Sequence, residues 1–251
     1  MTRVLILGGT GDARRLAALA SAAGFEVVSS LAGRTRDPRL PEGEVRVGGF
    51  GGVEGLAAYL EDERIDLLVD ATHPFADEIT AHAAESAALT GVPRLRLDRP
   101  AWEEVEGDRW ARVSSIESAA EALPLLGRRA FLAIGRQELA AFAHLEGVWC
   151  LARMIEPPEP GAPVSPGTIL YDRGPFTEAG ERALLEAHAI DVLVTRNSGG
   201  DDTYAKIAAA RALGITVVMI ARPPALSGET VSTPEAALAW LHEHAVLPSS
   251  P

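Results

Sequence analysis

The feature that most constrains this chain is a short apolar run followed at once by a glycine-rich turn. Residues 4–7 have the character of a strand buried on both faces, as in a parallel sheet. The glycines among residues 8–11 then allow a sharp turn and a close approach of the backbone to a ligand. A helical apolar stripe follows, with Asp12 as the expected N-cap. A helix that begins here directs free N–H groups at the turn, which suits a phosphate.

This turn matches only part of the dinucleotide-binding pattern. Gly9-Thr10-Gly11 supplies the first two glycines, but Arg14 stands where a third glycine or an alanine is expected. The alternative is a tight strand-to-helix turn of an α/β protein that binds no nucleotide. The predicted cofactor contacts at the turn are Gly8, Gly9, Thr10, Gly11 and Asp12.

Composition and charge limit the possible partners. The 251 residues allow one large or two small domains, and a content of 47% hydrophobic but only 5% aromatic residues predicts an aliphatic core. The net charge of −12 argues against nucleic acid as a partner, so an anionic ligand must be held by local basic clusters. Cys150, the single cysteine, lies in an apolar run and is expected to be a buried strand residue. No segment resembles a signal peptide or a membrane span, which predicts a cytoplasmic protein with no membrane partner.

The end of the second predicted strand favours NADP over NAD. In a Rossmann-type half, this point meets the adenosine ribose, where NAD enzymes place an Asp or Glu. Here the sequence has Ser29, Ser30, Gly33 and Arg34, and no carboxylate before Asp37. Hydroxyls and a guanidinium are suitable donors to a 2′-phosphate. An exposed polar loop is the alternative.

A further pair of candidates follows the clearest strand of the first half, residues 65–70. Pro74 fits the first turn of a helix, so Thr72 and His73 are expected at the carboxyl end of the strand. Open α/β sheets bind their ligands at that end. His73 would face a cofactor phosphate or the substrate, and a hydrogen-bonded structural histidine is the alternative.

The alternation of strands and helices is interrupted once and then resumes. We expect an N-terminal domain over residues 1–98, a junction over 99–113 and a C-terminal domain over 114–251. The predicted fold class is α/β, with two Rossmann-like parallel-sheet domains facing each other across a ligand cleft.

Basic residues recur at the predicted strand ends of both halves. Because the carboxyl ends of parallel strands share one edge of a sheet, we expect many cations around one cleft. That arrangement suits a ligand with several carboxylates or phosphates. The alternative is that the arginines are scattered over the surface and serve only solubility. The residues at or just beyond predicted strand ends are Arg34, Arg136, Arg173 and Arg196, while Arg99 lies in the predicted junction and Lys206 on the first turns of the helix after Gly200.

Residues 195–200 predict a second strand–turn–helix anion site. The site offers backbone N–H groups, two hydroxyls and an amide. Asp201 and Asp202, which follow it, are expected to cap the next helix. Lys206, the single lysine, would bind a carboxylate as an exposed point charge, or serve as a proton source. The predicted substrate contacts in this stretch are Thr195, Arg196, Asn197, Ser198, Gly199, Gly200 and Lys206.

Together these motifs resemble the precorrin-6A reductase family of cobalamin biosynthesis, over nearly the whole chain. The resemblance is carried by residues 7–14, 70–76, 99–100, 174–176 and 195–200 with Lys206. It implies a two-domain Rossmann-like reductase that uses NADPH to saturate one carbon–carbon double bond of a contracted macrocycle, giving precorrin-6B. The substrate it implies is a tetrapyrrole with many acetate and propionate side chains. A cobalt-precorrin-6A reductase of the anaerobic branch is an alternative that the sequence separates poorly from this one.

Expected roles follow from the resemblance. The turn at 8–12 and the 29–34 loop would hold NADPH, with Thr72 and His73 beside its phosphates or nicotinamide. The arginines and the 195–200 turn would hold substrate carboxylates, and no metal site is predicted. The candidates for a catalytic role are His73 and Lys206.

Two rival functions stay open at this point. One is a nucleotide-sugar or glycosyl enzyme with two Rossmann-like halves, and the other is a non-catalytic NADP-sensing regulator. A short-chain dehydrogenase is disfavoured because Tyr204 and Lys206 lack the Tyr-x-x-x-Lys spacing that places both side chains on one helix face.

Overall fold

The computed structural model describes residues 1–33 and 40–245 and divides the chain into two compact units. The first unit contains residues 1–100 and the C-terminal segment that begins at Pro224, and the second contains residues 101–223. Each unit has a six-stranded, entirely parallel sheet with helices. The prediction of two parallel-sheet α/β domains is therefore confirmed.

The first unit has the strand order of a dinucleotide-binding domain. Its strands are β1 Arg3–Leu7, β2 Glu26–Leu31, β3 Glu44–Val47, β4 Leu67–Asp70, β5 Arg94–Leu97 and β12 Glu229–Val231. Its helices are α1 Gly11–Ala22, α2 Val53–Asp62, α3 Asp77–Thr90 and α7 Pro234–His244. The sheet order is β12-β5-β4-β1-β2-β3, so β2 and β3 lie on one side of β1 and the later strands on the other, and the strand order reverses between β1 and β4. Ligands of such sheets bind at this switch point.

Strand β1 is apolar from Val4 to Leu7 because helices cover both of its faces. Val4 and Ile6 belong to a core shared with helices α1 and α7. Leu5 and Leu7 point the other way, into a core shared with α2 and α3. The two-residue period of a strand divides the run between the two cores, which is why the sequence shows no polar alternation here.

The second unit repeats the same topology. Its strands are β6 Trp110–Val113, β7 Arg129–Ala133, β8 Trp149–Met154, β9 Gly167–Tyr171, β10 Val192–Arg196 and β11 Thr216–Ile220. Its helices are α4 Ile116–Leu126, a 3₁₀ helix Arg136–Phe142, α5 Glu178–Ala187 and α6 Ala205–Leu213. The order is β6-β11-β10-β7-β8-β9, with the switch point between β7 and β10.

The sixth strand of each sheet departs from the predicted domain limits. Strand β6 falls in the predicted 99–113 junction but pairs with β11 in the second sheet. Strand β12 falls in the predicted 114–251 domain but pairs with β5 in the first sheet, and α7 packs on α1. The sequence of so short a strand does not indicate which sheet it joins, because β5 and β11 can each accept a parallel neighbour. The predicted boundary at 114–251 was therefore wrong for the C-terminal segment.

Some local predictions are corrected as well. Helix α3 begins at Asp77 rather than at Pro74, because residues 71–76 form an irregular connection. Helix α6 has Tyr204 as its N-cap and no side-chain cap, so Asp201 and Asp202 do not cap it.

Cys150 is fully buried in β8, as predicted. Burial raises the pKa of its thiol to about 11, and a hydrogen bond with Ser165 opposes only part of that rise. A thiol with such a pKa carries almost no thiolate at neutral pH, so Cys150 has no role as a nucleophile. Within residues 1–33 and 40–245, no helix is long and apolar enough to cross a membrane.

Candidate functional site

The predicted glycine turn lies at the carboxyl end of β1, at the switch point of the first sheet. The Gly8 N–H donates to the Ser30 carbonyl at 2.9 Å, which joins the turn to the end of β2. Gly9 has a φ of +111°, and a Cβ built there would meet no heavy atom within 4 Å. The turn therefore presents open backbone next to the N-terminus of α1, which is the geometry that binds a pyrophosphate.

Thr10 and Asp12 have roles that differ from the prediction. Thr10, not Asp12, is the N-cap of α1, and its hydroxyl accepts from the Ala13 N–H at 3.0 Å. The same hydroxyl donates to the Ala71 carbonyl at 2.9 Å, so it joins the loops that follow β1 and β4. Asp12 forms an ion pair with Arg99 at 2.9 Å. Thr10 thus shapes the turn through its side chain and can offer a ligand only its backbone.

Thr72 is held by a buried ionic network rather than left open to a ligand. Asp70 is completely buried, and its Oδ1 lies 2.6 Å from the Arg96 guanidinium. The same oxygen accepts from the Thr72 hydroxyl at 2.7 Å and the Thr72 N–H at 3.1 Å. Arg96 also donates to the hydroxyls of Thr72 and Thr80. This network fixes the backbone at the point where the chain leaves β4.

His73 follows that fixed point and is partly exposed. Its Nδ1 accepts the Phe75 N–H at 3.3 Å, which favours the tautomer with the proton on Nε2. The histidine is thus at the predicted edge of the sheet, in a defined orientation.

The end of β2 is described only in part. Ser29 and Ser30 are both buried, and the Ser30 hydroxyl accepts from Arg46 at 3.3 Å. The Ser29 hydroxyl has no hydrogen-bond partner among residues 1–33 and 40–245. Gly33 has a φ of +73°, whereas the predicted Arg34 lies outside the described residues. Arg46 is a candidate that the sequence pattern did not reveal.

In the second unit, both polar atoms of the Asn197 side chain bind the backbone of Trp102. Its side-chain oxygen accepts the Trp102 N–H at 2.7 Å, and its side-chain nitrogen donates to the Trp102 carbonyl at 2.9 Å. Arg222 donates to the carbonyls of Asn197 and Ser198, at 2.8 and 3.0 Å. These bonds fix the predicted anion turn, so the Asn197 side chain has a structural role in this unit.

The predicted arginines of this unit lie at the carboxyl ends of its parallel strands. Arg136 follows β7 and lies 3.4 Å from Glu156 and 3.5 Å from Glu159. Arg196 ends β10 and forms an ion pair with Glu138, while Arg173 follows β9 and is exposed. These arginines thus lie at the same edge of the second sheet, and their gathering around one ligand cleft stays a prediction.

Lys206 does not match the exposed point charge that the sequence predicted. The side chain is buried, its Nζ donates to the Thr203 carbonyl at 2.6 Å, and it lies 4.8 Å from the centre of the Trp102 ring. Burial is the main cause that lowers the pKa of Lys206 to about 7, with a further decrease from Arg153 and an opposing effect of Glu181. Local sequence predicts helix α6, but the burial of Lys206 depends on the packing of α5 against α6 and on the contact with the Trp102 ring.

With this geometry in place, the comparison with known proteins is decisive. Residues 3–242 match the family described as precorrin-6x reductase CbiJ/CobK. The chain belongs to the precorrin-6x reductase family.

Relatives in the precorrin-6x reductase family cover almost the full chain. The precorrin-6A reductase of Rhodococcus erythropolis is 55% identical, over 96% of this chain and 98% of the relative. The cobalt-precorrin-6A reductase of Priestia megaterium is 32% identical, over 92% and 94%. A solved structure titled "CobK precorrin-6A reductase" superposes with a TM-score of 0.93 at 41% identity, over 99% of each chain. The family resemblance drawn from the sequence motifs is therefore confirmed.

Proposed function

We propose that this chain is an oxidoreductase of cobalamin biosynthesis that reduces a double bond of precorrin-6A with NADPH, giving precorrin-6B. The observation that carries the proposal is the 55% identity to a precorrin-6A reductase over nearly the full length of both chains. The open glycine turn at the switch point of the first sheet agrees with a nicotinamide dinucleotide as the reductant.

The identities also favour the metal-free substrate over its cobalt-containing counterpart. The precorrin-6A reductases of Rhodococcus erythropolis and Mycobacterium tuberculosis are 55% and 51% identical to this chain. The cobalt-precorrin-6A reductases of Priestia megaterium and Salmonella typhimurium are 32% and 28% identical. Cobalt-precorrin-6A is therefore the second candidate substrate, and it belongs in every assay of the first.

The first unit fits the cofactor through its backbone. The Gly8 and Gly9 turn and the first turn of α1 would bind the pyrophosphate, and the exposed part of His73 would face the phosphates or the nicotinamide. A bound reduced nicotinamide supplies the hydride, so the protein contributes mainly alignment. The buried network of Asp70 and Arg96 fixes the loop that carries His73.

The second unit offers the groups that would bind the acetates and propionates. Arg136, Arg173 and Arg196 donate charge-assisted hydrogen bonds, for which substrate carboxylates compete with Glu138, Glu156 and Glu159. The backbone of Thr195, Ser198, Gly199 and Gly200 would add N–H donors in this unit, and the predicted substrate role of Arg99 stays a prediction. Asn197 would hold this turn in shape and Lys206 would hold the adjacent 200–204 turn, rather than touching the substrate.

An absorbance assay tests the proposed function. We expect oxidation of NADPH only when precorrin-6A is present, with slower or no oxidation when cobalt-precorrin-6A replaces it. Binding of NADPH without any substrate-dependent oxidation would instead support the sensing regulator.

The glycine turn makes a separate prediction. In Gly9→Ala, a side chain must adopt a φ of +111°, at a cost of about 1–2 kcal/mol, and a methyl group projects from the turn. We expect the KM for NADPH to rise about tenfold or more. Gly24→Ala is the matched control, since Gly24 has a φ of +89° with equally open surroundings but lies at the opposite end of α1. A KM that rises equally in both variants would contradict a cofactor contact at Gly9.

A further inference from the structure

Arg46 lies where the first unit would receive the adenosine end of a dinucleotide. It pairs across the sheet with Ser30, and each of the two is the last residue but one of its strand. The glycine turn follows β1, and Arg46 lies on β3, two strands away in the sheet. Between them, the Gly8 N–H donates to the carbonyl of Ser30, the residue that pairs with Arg46. Two strand spacings amount to about 10 Å, a reasonable distance between a pyrophosphate and the far side of the adenosine ribose.

The Arg46 guanidinium is held in one orientation. Its Nη1 donates to the Gly48 carbonyl at 2.6 Å and to the Ser30 hydroxyl at 3.3 Å, and its Nη2 donates to the Gly49 carbonyl at 2.6 Å. The guanidinium carbon lies 3.7 Å from the centre of the Phe50 ring and 5.2 Å from that of Tyr59. Stacking and three hydrogen bonds together fix the plane of the group.

The charge of Arg46 is not neutralised by the described part of the chain. Within residues 1–33 and 40–245, no carboxylate lies within ion-pair distance of it, whereas Arg3, at the other end of the same sheet, pairs with Glu26, Glu44 and Glu63. The donors at Nε and at one position of Nη2 make no hydrogen bond with those residues. A fixed guanidinium that keeps donors and full charge is prepared for an anion.

We propose that Arg46 binds the 2′-phosphate of NADPH and determines the preference of this enzyme for NADPH over NADH. The inference rests on the proposed use of a nicotinamide dinucleotide at the 8–12 turn. The guanidinium supplies the charge, the Ser30 hydroxyl lies beside it, and Phe50 covers one of its faces. Sequence reasoning placed this role on the loop after β2, whereas the cross-strand register adds a residue from β3.

Binding of nucleotide fragments tests this role without any macrocycle. Adenosine 2′,5′-bisphosphate and 5′-AMP are titrated into the wild type, Arg46→Met and Arg46→Lys by calorimetry. We expect Arg46→Met to bind the bisphosphate about ten- to a hundredfold more weakly and 5′-AMP as well as the wild type does. Arg46→Lys should lie between, since it keeps the charge but loses the planar fork. Arg94→Met, at the amino end of β5, should leave both affinities unchanged.

Two results would overturn the inference. Equal losses for the two fragments would assign Arg46 a structural role in the 48–50 turn, and unchanged affinities would remove it from the site. If Arg46→Met does not fold, Arg46→Lys gives the same comparison. Precorrin-6A-dependent oxidation of NADPH by the wild type is measured in parallel, so that the proposed function can stand even where the role of Arg46 fails.

Discussion

Replacing Arg96 by methionine should destabilise the first unit by about 3–5 kcal/mol, the usual cost of removing one partner of a buried ion pair. Asp70 is fully buried, and Arg96 is the one cation within 4.0 Å of its carboxylate among residues 1–33 and 40–245. The second carboxylate oxygen of Asp70 has no hydrogen-bond partner in that part of the chain. Without Arg96, only the two donors of Thr72 would remain to stabilise the charge.

Urea unfolding measures this effect against two reference variants. Arg94 lies at the amino end of the same strand, is half-buried, and makes a solvent-exposed hydrogen bond to the Ser227 carbonyl. Arg94→Met should change the free energy of unfolding by less than about 1 kcal/mol. The double variant Asp70→Asn with Arg96→Met should recover a large part of the loss, because no buried charge is left unpaired. If Arg96→Met lowers the free energy of unfolding no more than Arg94→Met does, the Asp70–Arg96 ion pair does not stabilise the loop that follows β4.

The second large effect concerns pH and Lys206. Burial lowers the pKa of Lys206 from 10.5 to about 7, so the native lysine is neutral above pH 7 while the unfolded chain keeps the proton. Between these values the unfolded state binds more protons, and stability from this group rises with pH by up to about 1.4 kcal/mol per unit. The penalty for burying the charge is thus full below about pH 7 and relieved as pH approaches 10.

Lys206→Met removes this dependence. We take the free energy of unfolding of the variant minus that of the wild type. This difference should be largest near pH 6.5 and should fall steadily up to pH 9.5, because the wild type gains stability as the pH rises. Arg211→Met, on the same helix, is the control, because its ion pair with Asp108 raises the pKa of an arginine that already stays charged over this range. A difference between Lys206→Met and the wild type that is constant with pH would show that the lysine is solvated in the native state.

Kinetics of the same variant distinguish two roles for Lys206. A lysine that holds the 200–204 turn should, when replaced, raise the KM for precorrin-6A and leave kcat nearly unchanged. A fall in kcat at constant KM would instead support the proton-source role. The buried contacts with Thr203 and Trp102 favour the first result.

The parts of this molecule that the sequence could predict are those set by local pattern. An apolar run, three glycines and a helical stripe suffice to predict β1, its turn and α1, because burial between two helical layers makes residues 4–7 of the strand apolar. The position of the arginines at the ends of β7, β9 and β10 could also be predicted, because the carboxyl ends of parallel strands lie at one edge of a sheet.

The parts that it could not predict depend on contacts between distant residues. The pairing of β12 with β5, the bonds from Asn197 to Trp102 and the enclosure of Lys206 each join positions that no spacing relates. Arg46 is a similar case, since a short Val-Arg-Val alternation does not reveal that Ser30 lies beside it on the next strand.

Transfer of deuterium from the cofactor tests the central claim most directly. NADPH labelled at either hydrogen of nicotinamide C4 is incubated in turn with the wild-type protein and precorrin-6A, and the macrocycle is analysed by mass spectrometry. We predict that one label, and not the other, appears as a single deuterium in precorrin-6B, because a fixed cofactor presents one face to the substrate. A reduced product without deuterium from either label, or consumption of NADPH with no reduced macrocycle, would contradict direct hydride transfer by this enzyme.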